Sequence, residues 1–265
     1  MNIKEKFYNL FGLYLEKHPS RDQVLKSLNN LLPYETEYKL IRLGEDGDGG
    51  YLIPDDLSGI EYCYSCGVGH VTQFEKQLYE KYSIKSKMID PNELPNEIFP
   101  HESVYYKKFL DFTESGQSMH INDFIQNDSK EDTILKLDIE GDEYQNLISL
   151  ENNKFEKIRI LIIEFHNLRD LRSKFFMKIF NKIFQKLNKY FVVCHLHPNN
   201  TSGIKYVSNI PIPDMVEVTL INKKRLNSFS KKYAQIPNPL DKRTSKNNKN
   251  IQSLRLAKKA MKNPY

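Results

Sequence analysis

Residues 135–144 read LKLDIEGDEY, and this stretch decides the fold. An apolar run over 133–139 predicts a buried strand, yet four carboxylates (Asp138, Glu140, Asp142 and Glu143) fall within six positions at its tip. Strand side chains alternate, so Asp138 and Glu140 share one side if the extended geometry persists. Gly141 then turns the chain. Asp142 and Glu143 open a helix expected over 142–150, where acids suit the positive end of the helix dipole. Local structure thus accounts for the second pair of acids. It leaves the first pair unexplained, and charge at the edge of a core is costly unless it is partnered.

The strands that follow repeat the pattern. IRILIIEFHNL (158–168) ends on Glu164 and His166, and FVVCHLHPNN (191–200) ends on His195, His197, Asn199 and Asn200. VEVTL (216–220) carries Glu217 and Thr219 inside an apolar run. Strands are expected at 61–65, 86–89, 133–139, 158–165, 190–196 and 215–221, and helices at 71–82, 142–150 and 171–189. That alternation predicts an α/β fold with a mostly parallel sheet and helices on both faces. Ligands of such sheets bind outside the C-terminal ends of the strands, where D-x-E, E-x-H and H-x-H all lie. Acids beside imidazoles suit either a divalent metal or general acid–base chemistry, and the residues leave both open.

Upstream, YCYSCGVGHVTQFEKQLYEKY (62–82) reads as strand, Gly-x-Gly turn and helix. Gly67 and Gly69 let a backbone approach a ligand closely, and the helix start offers free N–H groups. A tight strand-to-helix connection would explain two glycines alone. The dinucleotide fingerprint wants a third at position 72, which is Thr72. The next strand, KSKMIDP, ends in Asp90, about twenty residues after the glycines, where an acid can take both hydroxyls of a ribose. A ribose without a pyrophosphate points to S-adenosylmethionine rather than a nicotinamide dinucleotide.

The 265 residues suit one large α/β domain with extensions, or two small domains. Hydrophobic residues at 39% exclude a disordered chain. The net charge of +5 is uneven: from Asn222 to Tyr265 there are thirteen Lys and Arg against one acid, Asp241. A solvated surface helix explains that tail, and an anionic partner is the alternative. Cys63, Cys66 and Cys194 make no disulfide framework, and C-x-x-C lacks the second pair of a zinc knuckle, so buried reduced thiols are expected. No leader pattern or apolar run of about 18 residues is visible, which predicts a cytoplasmic protein with no transmembrane segment. Residues 1–32 carry helical spacing at Phe7, Leu10, Phe11 and Tyr14 and again at Val24, Leu25, Leu28 and Leu31. RLGEDGDGGYLIPDD (42–56) reads as a polar, ligand-facing loop, IPNPLDKRTSKNNKN (236–250) as a linker, and IQSLRLAKKAMKN (251–263) as a basic amphipathic helix.

ILKLDIEGDEYQNL followed by LIIEFHNL resembles the FkbM-type S-adenosylmethionine-dependent methyltransferases, whose signature is a strand ending D-x-E-G-x-E and then a strand ending E-x-H or E-x-N. The likeness covers roughly residues 43–220, from the DGGYL loop to the last strand. It implies a Rossmann-like class I methyltransferase fold: a seven-stranded, mostly parallel sheet with the last strand antiparallel. The implied organisation is a helical extension over 1–40, the methyltransferase domain over 41–225, and a basic linker and helix over 226–265. The implied activity is O-methylation of a sugar or sugar nucleotide, of the kind used in bacterial surface polysaccharide and capsule synthesis. Carried onto this chain, Gly49, Gly50, Tyr51, Gly67, Gly69, Asp90 and Asp138 would bind the methyl donor. Asp138, Glu164, His166 and His195 would be catalytic. Glu140, His197, Asn199 and Asn200 would meet the acceptor. A Mg²⁺ or Mn²⁺ ion would be held by Asp138, Glu164 and His195. No nucleic-acid partner is expected, and homo-oligomerisation stays open. SCGVGH and HLHPNN depart from the family pattern, the latter leaving the acceptor open. The alternative is a metal-dependent phosphoester hydrolase built on the same strand-tip cluster.

Overall fold

The computed structural model describes residues 17–92, 103–111, 116–126, 132–228, 230 and 232–245. The first half of the expected N-terminal helical region and the basic C-terminal helix lie outside the described residues. In chain order the strands are β1 (Leu40–Gly44), β2 (Gly50–Pro54), β3 (Ile60–Cys66), β4 (Lys85–Ile89), β5 (Val104–Tyr106), β6 (Phe109–Leu110), β7 (Ser118–Met119), β8 (Asp132–Leu137), β9 (Ile158–Phe165), β10 (Phe191–Pro198), β11 (Ile204–Val207), β12 (Ile210–Pro213) and β13 (Val216–Asn222). The helices are α1 (Arg21–Leu28), α2 (Gln73–Tyr82), α3 (Ile121–Phe124), α4 (Glu143–Ser149), α5 (Asn152–Lys157) and α6 (Lys174–Tyr190).

Seven strands form one sheet in the order β5-β4-β3-β8-β9-β13-β10, with β13 antiparallel to both neighbours and the other pairings parallel. Every residue of β9 is buried, as a strand covered on both faces requires. Ile134, Ile160 and Ile162 face a core under α2 and the β1–β2 hairpin. Their neighbours Leu135, Leu161 and Ile163 face the opposite core with α1, α4 and α6. Helix α6 begins where Ser173 accepts from the N–H groups of Phe175 and Phe176, and it buries Met177, Phe180, Ile183, Phe184 and Leu187 at helical spacing. Cys63, Cys66 and Cys194 are free and buried. Among the described residues no helix is long and apolar enough to cross a membrane.

The chain leaves β3 toward β4 and β5 on one side, and returns to β8 and β9 on the other. The sheet therefore has its topological switch point between β3 and β8, and a crevice opens above their tips. The two tips nearly touch. The N–H of Asp138 donates to the carbonyl of Cys66 (2.9 Å), and a Cβ on Gly67 would lie 1.7 Å from the Asp138 carbonyl oxygen.

Two stretches differ from expectation. RLGEDGDGGYLIPDD is not simply a loop: β1 and β2 pair through it as an antiparallel hairpin, from Leu40↔Pro54 to Gly44↔Gly50. Its five-residue strands carry glycine at their turn ends, which hides the alternation. The hairpin covers the sheet, and Thr219 of β13 donates to the Leu52 carbonyl (2.7 Å). The expected linker also docks, as far as Ser245. Asp241 accepts from His195 Nε2 (2.8 Å) and lies 3.5 Å from His197 Nδ1, and the amide of Asn200 exchanges two hydrogen bonds with the backbone of Ser245 (2.9 and 2.8 Å).

This docking is pH-dependent. Burial opposes ionisation of Asp241, but the hydrogen bond from His195 and the nearby ring of His197 outweigh it and hold the carboxyl well below its ordinary range. Burial disfavours the charged His197, yet Asp241 and Glu217 outweigh it and raise its pKa, whereas burial prevails at His195 and lowers it. A depressed acid contributes stability above its unfolded pKa, about 4, and loses it as pH falls through the folded value. A raised imidazole contributes below about 6.5 and loses it as pH rises. Asp241→Asn should therefore cost most, about 1.5–3 kcal/mol, between about pH 4 and 6.5, and less on either side. Urea unfolding at several pH values checks this, and a pH-independent loss would contradict it.

Gly67→Ala should lose about 2–5 kcal/mol, since its φ of +75° and the Asp138 carbonyl both reject a Cβ. Gly69→Ala is the control: its φ is +52°, but a Cβ there meets nothing within 4 Å, so about 1–2 kcal/mol is expected. Equal unfolding midpoints for the two variants would remove the contact argument.

Candidate functional site

A cleft of about 290 Å³ opens at the switch point. Its floor is the turn Gly67–Val68–Gly69 after β3, and Asp90 at the tip of β4 fixes that turn. Asp90 Oδ2 accepts from the N–H groups of Val68 (3.0 Å) and Gly69 (2.9 Å), while Oδ1 accepts from Asn92 N–H (2.8 Å). With one backbone bond against two, Oδ1 keeps acceptor capacity. The hairpin turn supplies the facing wall through Asp48, Gly49 and Tyr51. The Tyr51 hydroxyl donates to Asp138 Oδ2 (3.0 Å), and burial keeps it a phenol by raising its pKa well above the ordinary value. Beneath them Lys136 Nζ donates to the Gly67 carbonyl (3.0 Å) and pairs with Glu75 (3.4 Å). Burial opposes the Lys136 charge, but Glu75 and Asp138 outweigh it and raise its pKa.

Of the expected donor-binding residues, Gly49, Tyr51, Gly67, Gly69, Asp90 and Asp138 line this cleft, and so does Glu140. Gly50 does not: its backbone packs on the Glu45 carbonyl, 2.0 Å from where a Cβ would sit.

Beside the cleft the strand tips converge. Asp138, Glu140 and His166 place ligand atoms within 4.8 Å of one another. They do so without the extended geometry expected, because β8 stops at Leu137 and Glu140 adopts a left-handed φ of 57°. Such a turn is strained for a residue with a Cβ, and Glu143 holds it. The fully buried Glu143 Oε1 accepts from the N–H groups of Ile139 and Gly141 (both 3.2 Å) and faces His166 Nδ1 (2.7 Å). Two backbone donors identify that oxygen as an acceptor, so Nδ1 carries its proton. Burial disfavours imidazolium, but this bond and the charge of Glu143 outweigh it and raise the His166 pKa. Glu143 is the functional side chain that sequence reasoning missed. The dipole argument explained it too readily, although it is the last acid of D-x-E-G-x-E.

One strand further, Glu164 is buried and accepts from Asn199 Nδ2 (2.6 Å). Burial, with the charges of Asp138 and Glu217, pushes it up to about 11, so it is a neutral acid at neutral pH. Glu217 stands opposite both Glu164 and His197 in register, and burial pushes it up to about 7.

The expected metal set of Asp138, Glu164 and His195 does not come together. Asp241 holds the His195 ring, and the convergent group among the described residues is Asp138, Glu140 and His166. Glu164 Oε2 lies 3.6 Å from His166 Nε2. The expected acceptor residues Asn199 and Asn200 are buried and committed within the protein, Asn199 Oδ1 to the Thr201 N–H (2.9 Å) and hydroxyl (2.7 Å) and Asn200 to Ser245. Neither they nor His195 and His197 line the cleft. Lys136, Glu75 and Asp241 also went unread, because their partners are distant in sequence.

No curated protein matches the chain. A family model described as a methyltransferase FkbM domain matches residues 45–192. The match covers more than half of the chain and takes in the glycine turn, Asp90, the D-x-E-G-x-E tip and the E-x-H tip. The chain therefore belongs to the FkbM methyltransferase family and is a methyltransferase.

Proposed function

We propose that this methyltransferase is S-adenosylmethionine-dependent and methylates a hydroxyl oxygen of a sugar or sugar nucleotide, as in assembly of a bacterial surface polysaccharide, in the cytoplasm. The observation that carries the donor is Asp90. It closes the glycine turn with Oδ2 and leaves acceptor capacity on Oδ1, beside the cleft, for a ribose hydroxyl. Gly67 and Gly69 let a nucleoside lie close on the backbone, and no third glycine is needed because no pyrophosphate is bound. The acids Asp48, Asp138 and Glu140 around the cleft suit a cationic ligand. S-adenosylmethionine supplies, when bound, a methyl carbon made electrophilic by its sulfonium.

The remaining tasks belong to the chain. A sugar hydroxyl is a poor nucleophile and must be aligned and relieved of its proton as the new C–O bond forms and the C–S bond breaks. Asp138, fixed by Tyr51, and Glu140 reach from the cleft wall toward His166, and their oxygens accept from hydroxyl donors. His166 Nε2 takes the proton as base; were a divalent ion such as Mg²⁺ or Mn²⁺ held by these residues instead, it would acidify the hydroxyl and the proton would leave to solvent. The sugar assignment is supported by the carboxylates of Asp48, Asp138 and Glu140 around the cleft, which can accept from sugar hydroxyls. The phosphoester-hydrolase alternative draws no support from the family and leaves the glycine turn and Asp90 unused.

Isothermal titration of the full chain with S-adenosylmethionine and S-adenosylhomocysteine tests this reading. Both should bind, and Asp90→Ala should weaken them at least about tenfold, or about 1.4 kcal/mol. Binding of NAD in their place, or of neither adenosyl ligand, would overturn it.

A further inference from the structure

We infer that Asp138, Glu140 and His166, with Glu164 behind them, form a binding site for one divalent cation of the Mn²⁺ class. The role of that ion in acceptor binding rests on the methyl-transfer reading, but the site itself rests on the side chains.

Two independent observations carry it. The first is the convergence of ligand atoms of Asp138, Glu140 and His166 within 4.8 Å of one another. An ion with bonds of about 2.1 Å holds adjacent ligands roughly 3.0 Å apart and opposite ones about 4.2 Å apart, so small side-chain rotations would close the set. The second is His166 Nε2. This atom is buried and has no hydrogen-bond partner, while His166 as a whole is 4% exposed. It faces Glu140 Oε2 at 3.5 Å and Glu164 Oε2 at 3.6 Å, beyond hydrogen-bonding reach of both.

The surroundings set that nitrogen up as a ligand. Nδ1–H donates to Glu143, which leaves the lone pair of the neutral imidazole on Nε2, and Glu143 is itself fixed by the backbone N–H groups of Ile139 and Gly141. A carboxylate that orients a ligating imidazole through its other nitrogen is the usual outer support of a metal site. Asn199 holds Glu164 in the same way. The nearby fixed cations are already used: Lys136 by the Gly67 carbonyl and Glu75, and Arg42 by the carbonyls of Glu45 and Gly47. One imidazole nitrogen among carboxylate oxygens suits Mn²⁺ better than Ca²⁺, which prefers an all-oxygen shell. Asp138 and Glu140 also line the cleft, so an ion held there borders the acceptor space, where a sugar hydroxyl would complete its shell.

The test uses the full chain stripped with chelator and titrated with MnCl₂, read by the electron paramagnetic resonance of free Mn²⁺ and by calorimetry. One saturable site per chain is expected. His166→Ala and Glu140→Gln should each weaken it at least tenfold, and Glu143→Gln should weaken it 10–100-fold through the imidazole. The Glu140 side chain is 87% exposed, so that variant will fold even where His166→Ala does not. Thermal melting verifies folding in every case. Absence of a saturable site in the wild type, or an unchanged affinity in folded Glu140→Gln, overturns the inference. S-adenosylhomocysteine binding is measured separately in the same samples. Mn²⁺ binding without it would keep the ion and remove the methyl-donor reading, and the reverse would do the opposite.

Discussion

The contact between Gly67 and the Asp138 carbonyl is the constraint on which the rest depends. β3 and β8 are hydrogen-bonded neighbours, yet their chains depart in opposite directions across the sheet. Their tips must separate within a residue or two, and they do so with the backbone of one lying on the carbonyl of the other. No side chain fits there. Because the approach is so close, the glycine turn and the acidic tip of β8 open onto one cleft. Donor-side and acceptor-side groups are neighbours for this reason, although they lie about seventy positions apart.

The second constraint is electrostatic. Asp138, Glu140, Glu143, Glu164 and Glu217 crowd around the ends of three adjacent strands, and the sheet offers few cations to balance them. The fold deals with each acid differently. Tyr51 donates to Asp138, and backbone N–H groups together with an imidazole proton meet one oxygen of Glu143. Glu164 stays neutral, and Glu217 leans on His197. Such crowding would be a net cost in a purely structural sheet, since apolar residues could fill the same positions. Its persistence at the strand tips, where ligands of this architecture bind, is the physical sign of function.

How far these features were legible in the sequence follows from how local their causes are. Buried parallel strands write themselves as apolar runs, so β9 was bounded to the residue and β3, β4, β8 and β13 within one or two. The strand-tip acids were visible because they interrupt those runs. The β1–β2 hairpin was not, since glycines break its short strands. Side-chain pairings over long separations leave no periodic trace. Nothing near His195 announces Asp241, and nothing near Lys136 announces Glu75. His195, expected beside Asp138 and Glu164, is for that reason found paired with an acid from a stretch that reads as a linker.

That docked stretch changes what the hairpin can do. The turn of β1–β2 carries Asp48 and Gly49 into the cleft, and Gly47 lies against the backbone of Arg243 and Thr244. Asp241 and Ser245 fasten the same segment to the end of β10 through His195, His197 and Asn200. The cleft wall is thus braced from outside by a segment beyond the matched family domain, which ends at residue 192. His195 and His197 share one face of β10 and β13 with their register partners Thr219 and Glu217, so the imidazoles that anchor the C-terminal segment stand beside the acid that adds to the field at the strand tips. The HLHPNN tip of β10, itself beyond the matched domain, thus helps to hold a wall of the cleft that the matched domain builds.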